Sequence, residues 1–249
     1  MTPMEAVQDG VAGELENEDG EKVRVLAKPG LPEAEIVAFE KELPGRLPAE
    51  IRELLEFTSG LEPGVGPVEL VDFRGRTGGF EYTAAFPCSV SVASDGMGNF
   101  WVVDIDPDTG AWGTVFYACH DPPVIVVQAE SLSVFLEEMF KAGRRNRESH
   151  LLQIYGNADM RIWREDPFLM RTDDPAVMNE QGLQAFASAL GSSYRIADLR
   201  RRQVGSGFSW GWDGPDTDVR RWGKELVFAV EHRERIGFLK RLFRTGKSG

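Results

Sequence analysis

The sequence predicts an α+β protein: a helical hairpin, then an antiparallel meander closed by a further helix, then a second, smaller α+β unit or an elaborate extension of the first. Three observations carry this. Apolar residues recur at helical spacing through residues 32–60, the period falls to two from Val68 onward, and helical spacing returns at Leu132. Short Gly- and Asp-rich turns part the successive strands, and only antiparallel neighbours can be joined so briefly. The chain has 249 residues, 42% apolar and 27% charged, which suffices for a core without covalent staples.

The elements follow in order. Residues 1–22 carry seven acids and one base without apolar periodicity, and read as an acidic, mobile tail. Val23, Val25 and Ala27 alternate with polar residues as a short strand. Pro32 suits a first helical turn, and Ile36, Phe39, Glu40 and Leu43 follow at helical spacing until Pro44-Gly45. Leu47-Pro48-Ala49-Glu50 opens a second helix with Ile51, Leu54, Leu55 and Thr58 on one stripe and Gly60 as its stop. Val68, Leu70 and Val71 form a strand leading to the glycine-rich loop Arg74–Gly79. Val90, Val92 and Ala93, set among Ser89, Ser91 and Ser94, predict a half-buried strand. Asp95-Gly96-Met97-Gly98-Asn99 turns the chain into the strand Phe100–Ile105. Asp106–Gly110 turns it again into Ala111–Ala118, and Val124–Val127 follows. Ser131 caps a helix that places Leu132, Phe135, Leu136, Met139 and Phe140 on one face.

Charge divides the chain. The net charge is −12, made of −17 over residues 1–142 and +5 over residues 143–249. The switch falls at Gly143–Ser149, which sets the expected boundary between units at 23–142 and 143–249. In the second unit Gln181–Leu190 reads as a helix. Tyr194–Leu199, Gly207–Trp212 and Glu225–Val230 read as strands, and Arg235–Phe243 as a closing helix. No apolar run approaches the ~18 residues of a membrane span, and the acidic N-terminus lacks the order of a secretory signal. The expectation is a soluble, cytoplasmic protein. Cys88 and Cys119 read as free thiols, with a single bridge between them as the alternative.

Residues 32–140 resemble a known family. Leu47-Pro48-Ala49-Glu50-Ile51-Arg52-Glu53-Leu54-Leu55 with Gly60 is similar to its opening motif. Ser94-Asp95-Gly96-Met97-Gly98-Asn99-Phe100-Trp101-Val102-Val103-Asp104 is similar to its central turn and strand, with Ser94 where a glycine is common. His120-Asp121 followed by Ala129-Glu130-Ser131-Leu132 and Phe135-Leu136 is similar to its ending. The family is the SUKH superfamily, in its SMI/KNR-type branch. The resemblance implies a non-enzymatic antiparallel meander packed with helices, with Leu47, Pro48, Gly60, Gly96, Asn99, Trp101, Asp104, Ser131, Phe135 and Leu136 at motif positions. It also implies a protein that binds protein partners. Bacterial members mostly neutralise toxins as immunity proteins, and fungal members serve as regulatory hubs. Residues 143–249 resemble nothing nameable, so an enzyme using that half is a third reading.

Other constellations are weaker than their plain structural readings. Asp104-x-Asp106-x-Asp108 opens like a calcium loop, but Thr109 stands where glycine is wanted and Val115 where a bidentate Glu belongs. Cys119-His120-Asp121 are consecutive, whereas nucleophile, base and orienter come from separate elements. Gly75-Arg76-Thr77-Gly78-Gly79 has no phosphate-loop form. Arg200-Arg201-Arg202 and Arg220-Arg221-Trp222 flank Phe208, Trp210 and Trp212, whose period-two spacing gives one aromatic sheet face rather than a nucleic-acid platform. No catalytic residue, cofactor or metal is therefore expected. The expected partner is a basic protein, since an acidic field repels nucleic acid and anionic lipid. Asp95, Asp104, Asp106 and Asp108, in or beside the meander turns, are the candidate contacts. The oligomeric state stays open.

Overall fold

The computed structural model describes residues 1–79, 82–145, 148–211 and 217–232. The N-terminus is folded, against the expected tail. Thr2 accepts the Glu5 N–H at 3.2 Å, the Glu5 carboxylate accepts the Thr2 N–H at 2.8 Å, and Pro3 fills the first turn. This capping box opens α1 (Pro3–Gly10). Ala6 and Val7 are buried, and Gly10 lies so close to the Phe140 ring that a Cβ would overlap it. β1 (Leu15–Glu16) and β2 (Lys22–Val23) then pair as a small hairpin. Met4, Ala6 and Val7 are three apolar residues in eight, too few to set a period, so this helix rests on its capping box and on its packing against Phe140.

β3 (Leu26–Ala27), α2 (Glu33–Glu40) and α3 (Ala49–Phe57) follow as the spacing predicts. Gly60 is not the stop of α3, which ends at Phe57. It lies in β4 (Gly60–Glu62), where the Val71 carbonyl passes too close for any side chain. β5 (Leu70–Asp72), β6 (Ser89–Ser94), β7 (Phe100–Ile105), β8 (Trp112–His120) and β9 (Pro123–Ala129) form the meander. α4 (Leu132–Gly143) starts with the Ser131 hydroxyl accepting the Val134 N–H at 3.3 Å. Beyond Ser89, β6 is buried on both faces rather than one. The Thr77 hydroxyl lies over it, 2.7 Å from the Ser91 hydroxyl, so the glycine-rich loop is a cover for this strand.

The remaining chain adds α5 (His150–Gln153), a kink at Tyr155–Gly156, α6 (Asp159–Glu165), β10 (Leu169–Arg171), α7 (Pro175–Met178) and α8 (Gln181–Leu190). β11 (Tyr194–Asp198), β12 (Gly207–Ser209), β13 (Val219–Arg221) and β14 (Val227–Glu231) complete it. The first sheet has eight strands in the order β12-β9-β8-β7-β6-β5-β4-β3, and the second has four, β10-β11-β14-β13.

Strand alternation sorts the cores. Trp101, Val103, Val115, Tyr117, Val124 and Val126 face the helices, and Phe100, Val102, Phe116, Ala118, Ile125 and Val127 face the second sheet. Phe228 of β14 sits among Phe86, Phe116 and Phe208, with ring centroids 6.0, 6.2 and 5.0 Å away. Val227 and Ala229, on its other face, pack with Leu183 and Ala187 of α8. The layers run helices, sheet, sheet, helices. The composition switch at 143–149 does not separate two cores. Leu151, Ile154 and Ile162 belong to the helical core of the first sheet, and β12 pairs with β9 at its edge. The Arg235–Phe243 segment and Trp212 lie outside the described residues.

Candidate partner-binding surface

The turn after β6 is held by its own aspartate. Asp95 accepts the N–H groups of Met97 at 2.9 Å and Asn99 at 3.1 Å, and the Asn99 side-chain amide donates to it at 2.5 Å. The Asn99 side-chain oxygen Oδ1 in turn accepts the His120 N–H at 3.0 Å, tying the turn to the end of β8. Gly96 and Gly98 take φ of +71° and +96°, and a Cβ at Gly96 would strike the Glu69 carboxylate. The Tyr155 hydroxyl adds a bond to Asp95 at 3.4 Å. Asp95 is therefore buried, at 1% exposure, and does not face outward as its place in a turn suggested. What the turn does present is Met97, 56% exposed.

Asp104 is a second correction. It points from β7 toward the second sheet, where Arg221 donates to both of its oxygens at 2.5 and 2.8 Å. The Arg221 guanidinium also lies over the Phe228 ring. Burial pushes the Asp104 carboxyl up, and Arg221 opposes that push. Asp106 accepts the N–H groups of Asp108 and Thr109, both at 2.9 Å, which makes the hairpin turn. Lys224, just before β14, bridges Asp106 at 3.1 Å and Asp108 at 2.8 Å. Its bond first, and the turn's N–H groups after, hold Asp106 down to about 2. The structure thus brings Asp104, Asp106 and Asp108 together, but onto cations of the second sheet. Sequence spacing could not show this, because the cations lie more than a hundred residues away.

The motif residues build the frame. The Leu47 N–H donates to the Glu40 carboxylate at 3.1 Å, and Pro48 caps α3. Trp101 is fully buried and donates from Nε1 to the Gln128 side-chain oxygen at 3.1 Å. Phe135 and Leu136 are fully buried on the inner face of α4. Cys88 and Cys119 are free thiols. Burial pushes the Cys119 thiol up to about 11, which withholds the thiolate that a nucleophile needs. Phe208 is core, and Trp210 donates to the Cys119 carbonyl at 3.1 Å. Among the described residues no group of His, Cys, Asp and Glu could hold a metal ion, and no helix is long and apolar enough to cross a membrane.

A different acidic group remains in the open. Glu18 and Asp19, in the loop between β1 and β2, lie near Glu69 and the Asp95 turn, and none of Glu18, Asp19 and Glu69 meets a cation among the described residues. Partial burial, and then the charges of Asp95, Asp19 and Glu69, push the Glu18 carboxyl up. Exposed Leu70 and Met97 flank the group. The resulting surface is acidic, self-repelling and edged with apolar side chains, with a rigid turn beneath it.

The model of the SMI1 / KNR4 family (SUKH-1) matches residues 30–138. The match covers a little under half of the chain, so residues 30–138 are similar to a SUKH domain. No curated protein and no solved structure matches the chain. The family includes toxin-immunity proteins. The matched segment spans α2 through most of α4, so α1, the β1–β2 hairpin, β3 and everything after α4 lie outside the match. The outside parts cover it closely: α1 packs on α3 and α4, and the second sheet covers one face of the meander.

Proposed function

We propose that this protein is a non-enzymatic binding protein, and specifically an immunity protein that neutralises a basic toxin by covering its active-site cleft. The observation that carries this reading is the unneutralised acidic surface of Glu18, Asp19 and Glu69 beside exposed Met97 and Leu70, at the motif turn of a SUKH-like segment. Like charges held together without a counterion cost free energy that a cationic partner relieves. The net charge of −17 over residues 1–142 draws such a partner from a distance. Met97 and Leu70 supply the apolar contact that limits its escape.

The test is to read the neighbouring genes for a toxin domain and co-express any such domain with this protein, followed by stopped-flow association. Growth should be rescued through a one-to-one complex. Association should slow strongly as the Debye length falls from about 30 Å at 0.01 M salt to about 3 Å at 1 M. Neutralising Glu18, Asp19 and Glu69 together should flatten that dependence, and Met97→Ala should speed dissociation. A complex whose association rate ignores both salt and these substitutions would overturn the acidic mechanism, and absence of rescue would overturn the immunity role.

A further inference from the structure

The kink between α5 and α6 opens a concavity separate from the partner surface. Gly156 takes φ of +80°, and Asp159 locks the bend by accepting the Gly156 N–H at 2.8 Å and the Met160 N–H at 2.5 Å. The bend leaves a cleft of about 620 Å³, within the range that holds small molecules. Glu130, in the loop between β9 and α4, lines it together with Arg161 of α6. Buried Ile154 and half-buried Val204 also line it and give an apolar contact.

Glu130 and Arg161 make no ion pair with each other, and neither side chain has a partner among the described residues. The cleft therefore offers one carboxylate and one guanidinium without partners and an apolar surface, with His150, Gln153, Asn157 and Gln203 as further polar lining. We infer that it binds a small zwitterion of the α-amino-acid class. The ligand's ammonium pairs with Glu130, and its carboxylate takes the planar fork of Arg161, which suits two parallel hydrogen bonds. The ligand's side chain lies on Ile154 and Val204. Ile154, Arg161 and Val204 follow the SUKH match while Glu130 lies near its end, so the site joins the matched segment to the added half of the chain, away from the turn proposed to meet the toxin.

Calorimetric titration of the full chain with individual α-amino acids tests this. At least one with an aliphatic side chain should bind at ligand concentrations up to about 10 mM, the range where millimolar affinity registers. Its des-amino carboxylic acid and its decarboxylated amine should each bind about tenfold or more weakly. Arg161→Ala and Glu130→Gln should each cost a similar factor while circular dichroism stays unchanged, since both side chains are exposed. Three results would overturn the inference. They are no binding by any amino acid, equal binding of the simple carboxylic acid, and binding that survives both substitutions.

Discussion

Arg221 reaches from the second sheet to grip Asp104 in the middle layer, with its own side chain only 5% exposed. The pair closes the space between β7 and β13, and Phe228 lies under the guanidinium. The two halves of the chain, opposite in net charge, meet here through specific ion pairs. Lys224 with Asp106 and Asp108 extends the seam to the surface.

Breaking one side of this pair leaves a buried charge without compensation. Arg221→Ala should destabilise the protein by about 3–5 kcal/mol, while Arg221→Met combined with Asp104→Asn should cost much less. Urea unfolding of the single and double variants measures the difference. Equal losses in both would show that packing on Phe228, rather than charge, sets the cost.

The seam also has an acid limit. An aspartate held below its unfolded value stabilises the fold above that value, and the contribution disappears as pH falls through the folded one. For Asp106, held at about 2 against an ordinary value of 3.8, the window is roughly pH 4 to 2. Lys224→Ala should raise the Asp106 carboxyl midpoint followed by NMR. It should also flatten the loss of stability in that window. An unchanged midpoint would remove Lys224 as the main cause.

Cutting the chain at 143–149 should not release a stable domain. A fragment of residues 1–142 would expose Phe100, Phe116, Ile125 and Val127 on one sheet face and lose β12 from its edge. It should aggregate or bind a hydrophobic dye, whereas the full chain should unfold in one cooperative step. Phe228→Ala should cost about 3–5 kcal/mol in the intact protein by opening a cavity between the sheets. A soluble, cooperatively folding fragment would mean that the two cores are independent.

By itself the sequence determined the elements that local periodicity controls. The stripe Ile51-Leu54-Leu55 demands a helix, and Asp95-Gly96-Met97-Gly98-Asn99 demands a tight turn. The alternation through β7, β8 and β9 demands a sheet with two distinct faces. It also carried the motif positions, because those residues cap, turn or fill the core close to where they stand in the chain. Tertiary structure decided what the second face of that sheet meets, and therefore which carboxylates remain available. Asp104, Asp106 and Asp108 read as free surface acids until Arg221 and Lys224 arrive from more than a hundred residues away. Asp95 reads as exposed until its own turn and Tyr155 bury it. A residue's type and spacing fix its local geometry. Its charge partner depends on long-range packing, which no local pattern in one chain records.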